Sequence, residues 1–160
     1  MRMAMKTPDY HDGGPVEVVA FRVNEQEFCV RTISVREIRG WSQSTPLPNS
    51  SPDILGMINL RGTVIPVVSM AQKLGMTAAP PNPRSAIVVV EVQDTILGLL
   101  VDGLSDLLTF DGSTIQPVPE MTGGYDKSYT EGIIAHADGM ICFLNLDHMF
   151  PDVAKLAAAA

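Results

Sequence analysis

Runs rich in valine, isoleucine and phenylalanine at residues 16–23, 27–30, 54–60, 63–68, 86–92, 95–101, 132–135 and 140–146 predict β-strands. Turn signals separate them: Asn24-Glu25-Gln26, Leu60-Arg61-Gly62, Gln93-Asp94 and Ala137-Asp138-Gly139. Many short strands with Gly- and Pro-bearing turns indicate a barrel or sandwich. Helix is expected only as short turns near residues 32–35 and 70–74. Val19, Phe21 and Val23 alternate with Ala20, Arg22 and Asn24, the pattern of a strand with one buried face. Residues 87–90 and 97–101 are apolar on both faces and read as central strands between two packed units.

The apolar pattern also repeats. At an offset of 69, Val19, Phe21, Val23, Phe28, Val30, Val35, Glu37 and Ile38 meet Val88, Val90, Val92, Leu97, Leu99, Leu104, Asp106 and Leu107. At an offset of 76, Gly56, Ile58, Ile65, Val67, Val68 and Met70 meet Gly132, Ile134, Ile141, Phe143, Leu144 and Leu146. Pro46-Leu47-Pro48 mirrors Pro117-Val118-Pro119. These markers predict an internal duplication with pseudo-repeats at about 16–76 and 85–150, joined at the Pro-rich seam 77–84. Each half is marginal alone, because a small domain buries too little of its surface, so the halves are expected to pack on each other. Residues 1–15 read as a loose arm, 16–150 as the folded domain and 151–160 as a low-complexity tail.

Composition narrows the function. Hydrophobic residues make up 46% and charged residues 18%, enough apolar material for a packed interior and too few charges for a disordered chain. The formal net charge of −7 disfavours nucleic acid and anionic membranes as partners, and no dense Lys/Arg cluster stands out along the chain. Cys29 and Cys142 lie in apolar runs and read as buried, reduced thiols of a cytoplasmic protein. The N-terminus lacks the apolar run of a signal peptide, and no apolar stretch is long enough to cross a bilayer.

Catalytic chemistry is hard to place. There is no phosphate-binding glycine loop, and His11, His136 and His148 lie in an arm, at a turn and near the C-terminus, without ligand spacing. Asp111-Gly112-Ser113 holds the residue types of an aspartic-protease loop in the wrong order, and the aligned positions Gln43, Ser44 and Thr45 supply no second aspartate. Asp102 and Asp106, four apart, read as acceptors for turn backbone rather than as an acid–base pair. The chain is therefore expected to be no enzyme and to need neither cofactor nor metal.

The run from Ile54 to Val68, with Gly56, Asn59-Leu60-Arg61-Gly62 and Pro66-Val67, resembles the signature G-x-x-N-L-R-G-x-x-x-P-V-x-D of the CheW-like chemotaxis coupling family. Residues 35–40, 97–108 and 115–120 agree in order and spacing, so the resemblance extends over about 16–150. It implies an all-β fold of two SH3-like five-stranded barrels around a shared apolar core. It also implies a cytoplasmic adaptor, recruited to receptor arrays, that joins the cytoplasmic tips of methyl-accepting chemoreceptors to the regulatory domain of the histidine kinase CheA. A related scaffold of a non-chemotaxis or divergent chemosensory kinase pathway is the alternative. Carried over by position, the receptor-binding residues are Val35, Glu37, Gly56, Asn59, Arg61, Gly98 and Leu107, with Ile54 as a kinase-binding candidate and Trp41 a further possible anchor. Gly56 and Gly98 are expected to let a partner backbone approach, and Val35 and Leu107 to form equivalent apolar walls. Arg61 is expected to reach a partner carboxylate or carbonyl, pre-oriented by Glu37. Ser69 stands where the family usually has Asp; serine still caps a short helix, and the lost charge is expected to mark a different partner.

Overall fold

Two-residue turns organise the chain. Asn24 and Glu25 (φ 59° and 103°), Arg61 and Gly62 (50° and 91°), and Gln93 and Asp94 (51° and 65°) take the left-handed conformation that matches a hairpin turn to the twist of its strands. The structure, a computed structural model, describes residues 13–41, 54–78, 80–118, 129–137 and 139–151. The expectations placed on His11, the Gln43–Thr45 positions, Pro46-Leu47-Pro48, Pro119 and the tail lie outside the described residues.

Among the described residues there are ten strands: β1 (Pro15–Val23), β2 (Gln26–Arg31), β3 (Val35–Gly40), β4 (Ile54–Leu60), β5 (Thr63–Ser69), β6 (Ala86–Val92), β7 (Thr95–Val101), β8 (Gly103–Asp111), β9 (Thr130–His136) and β10 (Gly139–Leu144). Two one-turn helices follow strands: α1 (Met70–Lys73) after β5 and α2 (Leu146–Met149) after β10. All the expected strands are present, as are the turns at 32–34 and 70–73. The strand expected to run to residue 146 stops at Leu144, because the Asn145 side chain accepts a hydrogen bond from the His148 N–H (3.1 Å) and caps α2. β1 begins at Pro15, one residue before the expected strand start, and the Gly112 N–H donates to Gly14 O (2.8 Å).

The strands form two five-stranded sheets, β8-β1-β2-β10-β9 and β3-β6-β7-β5-β4. Adding five to each label of the second order, and wrapping past ten, gives the first. The second unit is an uninterrupted stretch from β3 to β7, whereas the first takes β1 and β2 from the start of the chain and β8 to β10 from its end. The structural units therefore do not coincide with the sequence halves. The first sheet is closed by backbone: Gln116 and Ile133 exchange N–H···O bonds of 2.8 Å each, which joins the chain beyond β8 to the opposite edge strand β9.

Alternating side chains sort into three apolar clusters. Val16, Val18, Ala20, Cys29, Ile134, Ile141 and Phe143 fill the first barrel, and Ile58, Leu60, Ile65, Val67, Ile87 and Val89 fill the second. Between the barrels lies a larger shared core, with Phe21, Phe28 and Val30 from one sheet facing Val88, Val90, Leu97 and Leu99 from the other. This bears out the two-barrel expectation and the central placement of β6 and β7. It corrects β1, which is buried on both faces: Ala20 is as buried as Phe21 and points into the first barrel.

Candidate functional site

The β4–β5 hairpin is built by its own sequence. Asn59 Oδ1 accepts the Gly62 N–H (2.7 Å), which fixes the turn and leaves Arg61 at its tip. From there the guanidinium spans to the far edge strand of the same sheet, where it meets Glu37 of β3 in a two-pronged pair: Nη2 to Oε2 at 2.9 Å and Nη1 to Oε1 at 3.3 Å. The pair ties the two edges of the second barrel together. The Arg61 side chain is 72% exposed, so one face of its fork stays open to a partner.

The electrostatics follow from that geometry. The hydrogen bond from Arg61 holds the Glu37 carboxyl below its usual range, with Coulombic help from Arg61 and then Arg39, two residues along the same strand. The reciprocal hydrogen bond holds Arg61 above its ordinary value. Arg36 of β3 pairs with Glu91 of β6. Arg61, distant in sequence, thus joins Arg36 and Arg39 of β3 on the second barrel.

The apolar rim is wider than expected. Val35 lies opposite Val90 and Ile38 opposite Val88, so both share the sheet face that packs into the shared core. Ile38, at the sheet edge, remains 42% exposed. On the first barrel, Leu104 and Leu107 of β8 lie opposite Phe21 and Val19 and are 45% and 60% exposed. Val35 and Leu107 are therefore not counterparts: the aligned pairs are Val35 with Leu104 and Ile38 with Leu107. Val64 and Met140, 58% and 59% exposed, also correspond at the offset of 76. Ile38, Leu104, Val64 and Met140 are exposed candidates beyond those that the family resemblance implies, and the repeat alignment signals Ile38 by pairing it with Leu107.

Other candidates turn inward. A Cβ on Gly98 would stand 2.7 Å from Ile87 Cγ2, so its missing side chain makes room inside the second barrel and not for a partner. Gly56 is buried at a register shift opposite Val67. Ile54, the kinase-binding candidate, is only 8% exposed within the shared core, and Trp41 packs against the second barrel's interior. Ser69 is buried, and its Oγ accepts the Gln72 N–H (3.3 Å) at the start of α1. The missing carboxylate therefore has no surface through which to select a partner.

Asp102, Asp106 and Asp111 accept nearby backbone N–H groups. Asp102 Oδ2 accepts the Asn24 N–H (2.6 Å), and Asp106 Oδ1 accepts the N–H of Leu107 (2.9 Å). Asp111 takes both the N–H and the hydroxyl of Ser113, which lowers its pKa. Burial pushes the thiols of Cys29 and Cys142 up, and their paired strands point them into different clusters, so no disulfide joins them. Among the described residues no group of three His, Cys, Asp or Glu side chains gathers to hold a metal, and no helix is long and apolar enough to cross a membrane.

The comparisons agree with this geometry. A protein of Rhizobium meliloti (strain 1021) named "Chemotaxis protein CheW" is 46% identical over 145 residues, covering 91% of this chain and 94% of that protein. "Protein PilI" of Pseudomonas aeruginosa is 27% identical over 96 residues, 60% of this chain and 54% of that protein. Among solved structures, the scaffolding protein TtCheW from Thermoanaerobacter tengcongensis superposes with a TM-score of 0.79 at 30% identity, over 86% of this chain and 93% of that one. The fold of two interlocked SH3-like barrels is thus shared with a known scaffold, and with the CheW-like domain matched across residues 17–154 the chain belongs to the CheW-like family.

Proposed function

We propose that this chain is a non-enzymatic cytoplasmic adaptor that couples the cytoplasmic tips of methyl-accepting chemoreceptors to the regulatory domain of the histidine kinase CheA in chemotaxis arrays. The supporting observation is the Glu37–Arg61 pair, which presents a planar donor fork at a hairpin tip on a barrel that also exposes Ile38 and Val64. A helical hairpin held by apolar contacts and a few polar clamps is the kind of ligand such a rim suits. Glu37 pre-orients Arg61 before the receptor arrives, Asn59 shapes the turn that carries it, and Val35, Ile38, Leu104 and Leu107 supply apolar walls. Gly56 and Gly98 act indirectly, by keeping the strands beneath the rim in place. The paired sequence halves, 16–76 and 85–150, descend in this reading from one duplicated unit, which accounts for the matched strand orders.

Binding to a receptor hairpin tip and to a CheA regulatory domain, measured separately, tests the proposal. Arg61→Ala should weaken the receptor complex while leaving the melting temperature nearly unchanged, because exposed ion pairs add little stability. Unchanged receptor affinity removes Arg61 from the site, and failure of the unmodified chain to bind either partner removes the function. A second reading is a scaffold of a non-chemotaxis or divergent chemosensory kinase pathway, since one relative, of lower identity, carries a name other than CheW. Binding to a kinase domain of that pathway in preference to CheA would select it.

A further inference from the structure

Every strand pairing other than the four hairpins joins the first half of the chain to the second. The hairpins are β1–β2, β4–β5, β6–β7 and β9–β10. The remaining pairings are β1–β8, β2–β10, β3–β6 and β5–β7. Within its own half, β3 has no partner strand, and neither has β8. Each barrel takes three strands from one half and two from the other. The fold is therefore built like a dimer of two half-length units that one tether happens to join.

That tether is the seam between α1 and β6. Leu74 on one side and Ser85 on the other are buried, whereas the described residues at 77, 78 and 80–84 are exposed and take part in no strand. Pro80, Pro81 and Pro83 favour extended backbone, which stiffens this connection. None of the interactions between halves depends on whether both belong to one molecule. The choice between closing on oneself and closing on a second molecule rests on the tether alone, through the effective concentration that it imposes.

We propose that two copies of this chain can exchange halves across an opened seam, giving a dimer of four complete barrels in which each barrel takes strands from both copies. Exchange of identical elements is a low-cost route to a dimer, because it repeats contacts that already exist. The exchange is reciprocal and closes on itself, so it ends at two copies. It does not rest on the proposed coupling function and makes no use of the Arg61 rim.

Glu17 of β1 and Thr109 of β8 lie directly opposite each other and are both exposed, so cysteines placed there report which copy supplies the partner strand. The E17C/T109C variant, in a Cys142→Ala background, is unfolded, refolded at concentrations from micromolar to millimolar and then oxidised. The expected result is a disulfide-linked dimer, twice 17.2 kDa on a denaturing gel, whose fraction rises with concentration toward the millimolar effective concentration of a short tether. Only internally linked monomer at every concentration overturns the proposal. Deleting residues 78–81 sharpens the test: shortening the seam should drive most of the protein to a dimer that links between copies on oxidation. A folded monomer from that deletion, or a dimer that links only within each copy, also overturns it. If the deletion variant does not fold, the concentration series on the full-length chain decides.

Discussion

The two barrels share a strand order and differ in how their edges are joined. In the second, Arg61 at a hairpin tip crosses to Glu37 on the opposite edge strand. At the corresponding positions the first barrel has Ala137, with almost the same backbone (φ 53° against 50°), and Asp106, which caps its neighbour's N–H instead. There the edges are held by the Gln116–Ile133 bridge and by Phe110 set edge-on against His136, ring centroids 5.7 Å apart. The matched hairpin of the first barrel carries no such clamp at these aligned positions. A charged clamp kept on only one of two matched hairpins is better explained by what that hairpin must meet than by what the barrel needs to stand.

The strongest challenge to treating the barrels as matched halves of one core is Phe28→Ala. Phe28 stacks near Phe21 in the shared core and is 1% exposed, so its truncation should cost about 3–5 kcal/mol. Both barrels should lose protection in a single transition, seen by hydrogen exchange at Val67 and Phe143. Separate melting would show that the core is not shared. A smaller effect probes closure of the first barrel. A Cβ on Gly132 would meet Ile115 Cγ2 at 2.5 Å and the Gln116 carbonyl oxygen at 2.8 Å, whereas one on Gly139 meets nothing within 4 Å. Gly132→Ala should lower stability by about 1–3 kcal/mol in denaturant titration, and Gly139→Ala should not.

The rims separate next. Ile38→Ser and Leu107→Ser should each leave the melting temperature almost unchanged and weaken receptor-tip binding by about tenfold if both barrels contribute walls. Loss at one position only would confine the site to that barrel. The finest effect is a titration. Glu37 has a lowered folded-state pKa, so the pair contributes above the unfolded carboxylate value and is lost as pH falls through the folded one. In carboxyl carbon-shift measurements the Glu37 midpoint should move up in Arg61→Ala. Identical midpoints would show that Arg61 does not hold the carboxylate.

Strands with strong apolar patterning could be read from the sequence, several of them to the residue: 54–60, 86–92 and 95–101 coincide with β4, β6 and β7. The two that went unpredicted, β3 and β8, are sheet edges. Unlike the edge strand β4, neither has a fully buried position, and residues 35–40 and 103–111 mix arginine, glutamate, serine and aspartate with their apolar positions. Those edges carry Val35, Glu37 and Leu107, so the strands hardest to read hold part of the proposed receptor rim. Arg61's place at a tip was readable from turn chemistry, whereas Glu37 as its partner came through the family resemblance. The inward roles of Gly98, Gly56, Ile54 and Ser69 were not, because local sequence does not say which side of a strand faces a neighbour 10–20 residues or more away.

The second barrel begins at Val35 and ends at Val101, nested within the first, and the chain enters and leaves it through two short crossings, the turn at 32–34 and Asp102. Two covalent struts beside a packed apolar waist deny the barrels the swivel that a single linker would allow. Whatever sits on one barrel therefore has its heading set relative to whatever sits on the other, and the molecule behaves as a set-square rather than a leash.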